Sequence, residues 1–166
     1  MIPIRFSPES VLQKHLLLCS NLIKKGILTV RANGFDFNKT NVTLSAVEST
    51  FLEILERDLF LTYLLSASPE KLIDKIEYFK KKNNNVLKRS ERFNRLMHQI
   101  FVTHGYEQFT VEQKSQFTQS IGTDTCSYCN RNYTYSLQKA KSIKPEIDHF
   151  FPKSKYPFLA LSFYQN

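Results

Sequence analysis

The chain has 166 residues, 42% of them hydrophobic and 13% aromatic, with 14 Phe, 8 Tyr and a formal net charge of +8. That apolar content excludes wholesale disorder, and 4 Gly and 6 Pro exclude a collagen-like or low-complexity chain. No apolar run approaches the roughly 18 residues that would cross a bilayer, so no membrane role is expected.

The first 120 residues read as helical. Ser7, Pro8 and Glu9 have the form of an N-cap, a first-turn proline and a first-turn acid. Val11, Leu12, His15, Leu16 and Cys19 follow at helical spacing, with Gly26 as the expected stop. Asn33-Gly34, between Thr29–Arg31 and Phe35–Phe37, suggests a short hairpin or a loop. Residues 43 to 66 form one long helical-periodic stretch. Ser68, Pro69 and Glu70 open a further helix to about Lys80, and Asn83 to Asn85 break the pattern. The next helix runs from about Val86 to His104. Its apolar face is Phe93, Leu96, Met97, Ile100 and Phe101, and Gly105 follows its end. Thr110 and Gln113 have capping-box spacing for a short helix to about Ser120.

Beyond Gly122 the helical periodicity stops, and Tyr, Asn, Cys, Pro and Lys become prominent. The expected organisation is a helical region, 1–122, that binds a partner or nucleic acid, and a small module, 123–166. The basic charge is uneven. Residues 71–95 hold nine basic and three acidic side chains, and residues 126–166 hold six and two. Such excesses suit a polyanion partner or a solvated helix face. Lys88, Arg92 and Arg95 fall on one helix face at i, i+4 and i+7 and are candidate nucleic-acid contacts. A docking face for an acidic partner is the competing use. His15, His98 and His104 read as structural or exposed.

Three features carry chemistry. Cys126 and Cys129 form a C-x₂-C pair, the spacing of half a zinc site. Cys19 is far upstream on an apolar helix face and reads as a core thiol. Asp148-His149 joins a hard oxygen ligand suited to Mg²⁺ or Mn²⁺ with a residue that can act as general base. Glu146, two residues earlier, is either a further metal-side group or a strand residue paired with a lysine. Lys153 and Lys155 lie in the proline-bounded loop after the histidine, where they could hold phosphate oxygens. The tyrosines Tyr128, Tyr133 and Tyr135 either stack on bases or pack the module. The opening residues, Met1 to Phe6, lack the form of a signal peptide, and three cysteines do not make a disulfide scaffold. The expected location is the cytoplasm.

Together, C-S-Y-C-N-R from Cys126 and E-I-D-H-F-F-P-K-S-K-Y-P-F-L-A-L-S from Glu146 resemble the HNH endonuclease family. They look most like the HNH proteins paired with ATPases in bacterial anti-phage systems, such as Septu and related retron-associated modules. The resemblance spans about Asp124 to Asn166. It implies a partial, zinc-knuckle-containing ββα-metal module after a mainly α region, α+β overall. It further implies a catalytic Mg²⁺ or Mn²⁺ on Asp148, His149 as general base, Asn166 as the residue orienting it, and structural Zn²⁺ on Cys126 and Cys129. DNA would be the substrate and an ATPase the partner.

Two departures stand out. Gln165 separates Tyr164 from Asn166, where the family often has Asn directly after Tyr. The second cysteine pair, the helix and the last metal ligand of the family would lie past Asn166, so the 166 residues are expected to be the N-terminal part of a longer nuclease. The alternatives to an enzyme are a non-catalytic interaction subunit with an inactive HNH remnant, and a zinc-stabilised nucleic-acid-binding module.

Overall fold

A computed structural model describes residues 9–68, 71, 73–74, 91–110, 112–114 and 151–163. The chain divides into two compact units, Met1–Lys14 with Phe109–Asp148, and His15–Gln108 with His149–Asn166. Among the described residues the protein is mostly helical with one small antiparallel sheet, an α+β composition. No described helix is long and apolar enough to cross a membrane.

Helix α1 spans Glu9–Asn33 and buries Leu16, Cys19, Ile23, Ile27 and Val30, the i, i+3, i+4 stripe of an amphipathic helix. It runs straight through Gly26, the expected stop. The glycine serves close packing instead: a Cβ there would lie 2.9 Å from His104 Cβ and 3.3 Å from Ile100 O. The helix ends at Gly34, whose φ of 75° an L side chain rarely adopts. Asn33-Gly34 is therefore a helix terminus. The hairpin comes next, with β1 (Phe35–Phe37) pairing antiparallel with β2 (Thr40–Val42) in the register Phe35 to Val42. Its turn residues, Asn38 and Lys39, both have positive φ, as a type I′ turn requires.

The long periodic stretch after residue 43 is two helices. Helix α2 (Ala46–Leu55) opens with a full capping box, in which Ser45 and Glu48 satisfy each other's backbone N–H groups. Arg57 is extended, which breaks the helix, and α3 (Asp58–Leu65) follows. Ion pairs tie the break to α1, Arg31 to Glu56 at 2.7 Å and Lys24 to Asp58 at 2.6 Å. Residues Lys71, Ile73 and Asp74 are helical, within the helix expected after Pro69.

Helix α4 (Glu91–His98) continues as a π-helical turn, Gln99–Thr103, closed by His104 N–H donating to Gln99 O at 2.9 Å. The five expected apolar residues, Phe93 to Phe101, are all buried. The reciprocal bonds of Thr110 and Gln113, 2.9 and 3.1 Å, are also present. The stretch Pro157–Phe163 packs into the same core as the helices, with Phe158, Leu159, Ala160, Leu161 and Phe163 buried. Its backbone accepts a hydrogen bond from α1: His15 Nε2–H donates to Leu161 O at 2.9 Å.

Candidate nucleic-acid interface

Asp148, His149, Asn166, Cys126, Cys129 and Lys88 lie outside the described residues. Among the described residues no group of three or more His, Cys, Asp or Glu could hold a metal ion. Four of the expected site residues are described: Arg92, Arg95, Lys153 and Lys155.

Arg92 and Arg95 sit three apart on α4 and do different things. Arg92 turns into the fold. Its Nε donates to Glu48 Oε1 at 2.8 Å, and its Nη2 donates to Glu48 Oε2 at 3.0 Å and to Thr43 O at 2.8 Å. The guanidinium carbon stands 4.9 Å from the Phe35 ring centroid. Burial alone would push the Glu48 carboxyl up. The bonds from Arg92 and Ser45 outweigh it and hold the carboxyl below its ordinary range, while Arg92 is pushed up in turn. Arg92 thus staples α4 to the start of α2. Arg95 is mostly exposed, with a loose i, i+4 pairing to Glu91 at 3.9 Å.

The lysine loop is joined to α4 at Asn94. Asn94 Nδ2 donates to Ser154 O at 3.0 Å, joining helix and loop across 60 residues of sequence. The loop is a tight turn, with Lys155 N–H and Tyr156 N–H both donating to Pro152 O, at 3.0 and 2.9 Å. Phe151 packs edge-on against Tyr156 at 5.6 Å. Lys153 Nζ rests 3.7 Å from the centroid of the buried Tyr106 ring, a close cation–π contact. Lys155 is exposed, with its Nζ 5.7 Å from the Tyr156 ring centroid.

His98, expected to be structural or exposed, is half-buried on α4. It stands one helical turn after Asn94 and Arg95, so all three share a face. Its imidazolium is disfavoured, first by burial and then by the positive charges of Arg95 and Lys153; Glu107 works in the opposite direction. What sequence could not supply was the loop joined to α4 at Asn94.

Of the other two described histidines, one is inside. His15 is buried, hydrogen-bonded to Leu161 O, and edge-on to Phe163 at 5.1 Å. Cys19 lies at i+4 with its Sγ 3.8 Å from His15 Nδ1, as a core thiol, and burial pushes its pKa up. His104 packs against Gly26 through its Cβ.

The α4–loop face thus has an exposed arginine, Arg95, on the helix and two lysines, Lys153 and Lys155, in the loop joined to the helix at Asn94. No protein-family model, curated protein or solved structure matches this chain.

Proposed function

We propose that this chain is a metal-dependent HNH-type endonuclease that hydrolyses phosphodiester bonds in DNA. The observation that carries the reading is the seating of the lysine loop. Lys153 and Lys155 follow the Asp148-His149 pair by four and six residues, and their loop is fixed to α4 at Asn94. A basic loop that is held in place and follows an Asp-His pair in the sequence suits a phosphate chain bound for hydrolysis.

In this reading His149 takes the proton from the attacking water, and Asn166 holds the imidazole in the orientation that accepts it. Lys153 and Lys155 bind phosphate oxygens and set the strand in register. The donor chemistry fits the implied metals: the Asp148 carboxylate suits Mg²⁺ or Mn²⁺, and the Cys126 and Cys129 thiolates supply half of a zinc site. The divalent ion would supply charge stabilisation at phosphorus and at the leaving oxygen. An anti-phage role beside an ATPase partner belongs to the same proposal and rests on the resemblance alone.

The test is plasmid nicking in Mg²⁺ or Mn²⁺ by the full protein. Wild type should cut and His149→Ala should not, while both bind DNA equally. Unchanged nicking by His149→Ala refutes the assignment. Binding without any cutting by wild type favours the zinc-stabilised binding module.

A further inference from the structure

The lysine loop does not end at Tyr156. Its turn, in which Lys155 N–H and Tyr156 N–H donate to Pro152 O, runs directly into further short-range backbone bonds. Leu159 N–H donates to Tyr156 O at 3.0 Å, Ala160 N–H to Pro157 O at 3.0 Å, and Ser162 N–H to Leu159 O at 2.9 Å. Each bond spans three or four residues and overlaps or meets the next. From Pro152 to Ser162 the backbone is therefore one coiled piece. Little freedom is left between the lysines and the strip that follows them.

That piece is fastened at two points. Near its start, Asn94 Nδ2 on α4 donates to Ser154 O at 3.0 Å. Near its end, His15 Nε2–H on α1 donates to Leu161 O at 2.9 Å, and the His15 ring stands edge-on to Phe163 at 5.1 Å. The second fastening is inside the protein: Leu161 is fully buried and His15 nearly so. Burial keeps the imidazole neutral at pH 7, so the ring carries one N–H proton. Leu161 O can only accept, which puts that proton on Nε2. The other ring nitrogen, Nδ1, is left to accept from the Cys19 thiol, whose Sγ is 3.8 Å away.

We propose that His15 is a positioning residue for the lysine loop: by holding Leu161 O it fixes the register of the coiled piece, and through it the place of Lys153 and Lys155 against a bound phosphate chain. What the loop binds is taken from the nuclease reading. The positioning itself follows from the two fastenings and the turns between them. Without the imidazole donor, Leu161 O is a buried carbonyl that has lost its bond, and the strip gains by slipping toward another donor. The overlapping turns pass such a slip back to Ser154 and to the lysines on either side of it. A displacement of this kind is small, but a bound phosphate chain is sensitive to small misplacements of the groups that hold it.

The test is NMR on the isotope-labelled full protein, with a short oligothymidylate in EDTA at low salt as the binding probe. The side-chain amide of Asn94 and the backbone amides of Lys155 and Tyr156 report the loop. The amides of Thr50 and Glu53 on α2 are the control. His15→Phe keeps a ring against Phe163 and removes the donor. It should shift the three loop signals, leave the control signals in place, and weaken oligothymidylate binding by about fivefold. His15→Gln, whose amide returns a donor near the position of Nε2, should bring the signals back toward wild type and restore most of the binding. If circular dichroism shows that His15→Phe does not fold, His15→Asn, with an amide too short for Leu161 O, takes its place. Loop signals that stay put in the folded variant, or a shift that His15→Gln does not reverse, overturn the positioning role. So does a wild-type ring with its proton on Nδ1 at pH 7, a result that needs no variant. The nuclease reading fails separately: loop signals that shift and recover as expected, in a protein that neither binds oligothymidylate nor nicks plasmid, leave the positioning standing and remove the substrate.

Discussion

Arg92 and Arg95 occupy the same helix, three residues apart, and have opposite fates. Arg92 meets a buried carboxylate, a backbone carbonyl and an aromatic ring, so its hydrogen-bonding capacity is largely spent within the fold. Among the described residues Arg95 has a long ion pair with Glu91, at 3.9 Å and in solvent. The difference lies in the neighbours. Arg92 reaches Glu48, Thr43 and the hairpin ring of Phe35, whereas Arg95 extends into solvent. A basic stripe read from spacing alone therefore mixes two kinds of residue. One cation completes the fold and the other faces outward.

The sharpest way to break this contrast is at Arg92. Arg92→Ala leaves the Glu48 carboxylate buried without its cation and the Thr43 carbonyl without its donor. A loss of about 3 kcal/mol is expected, read as a lower urea midpoint at unchanged slope. Adding Glu48→Gln should recover part of that loss, since no charge is then left unpaired. A double variant as unstable as the sum of the two singles would mean that the pair is not coupled.

The histidines repeat the contrast. His15 is closed in by Leu161 O and Phe163, and burial, the larger effect, outweighs the bond to Leu161 and pushes its pKa down to about 4. Its folded value lies below its unfolded value of 6.5, so the unfolded chain binds the proton first. The stability from neutral His15 is complete above pH 6.5 and is lost as pH falls toward 4, by up to about 3 kcal/mol. Urea unfolding at pH 7.5 and pH 4.5 measures this. His15→Gln should show a smaller difference between the two conditions than wild type does. Equal differences would place the acid sensitivity elsewhere.

Much of this was legible in the sequence, and the failures have physical causes. The apolar face of α4, the core position of Cys19 and the Thr110 capping box follow from periodicity and local hydrogen bonding, which sequence spacing encodes. Gly26 was misread because a glycine in a helix signals either an end or a close approach, and only tertiary packing decides between them. Here His104 comes within contact distance, so Gly26→Ala should cost about 2 kcal/mol by thermal unfolding instead of giving the usual gain in helix propensity. The division of the long periodic stretch after residue 43 into two helices was not legible for a similar reason. The break at Arg57 carries no glycine or proline, and it is held by ion pairs from α1 that lie far away in sequence. Of the candidate site, the lysines were legible from the motif. The seating of their loop on α4 was not, because it depends on a contact across 60 residues of sequence.

Arg95 gives the smallest effect on stability and the clearest comparison with Arg92. Its side chain is more than half exposed and its ion pair with Glu91 is long and solvated, so Arg95→Ala should change unfolding free energy by less than about 0.5 kcal/mol. If the outward face of α4 is there to meet an anion, that same substitution should still weaken oligonucleotide binding. Arg92→Ala should do the reverse. A variant with normal stability and impaired binding, set beside one with impaired stability and near-normal binding at low temperature, would separate the two arginines by function as the fold separates them by position. Loss of stability in Arg95→Ala comparable to that in Arg92→Ala would mean that both sides of the helix serve the core, and the contrast between them would be one of exposure only.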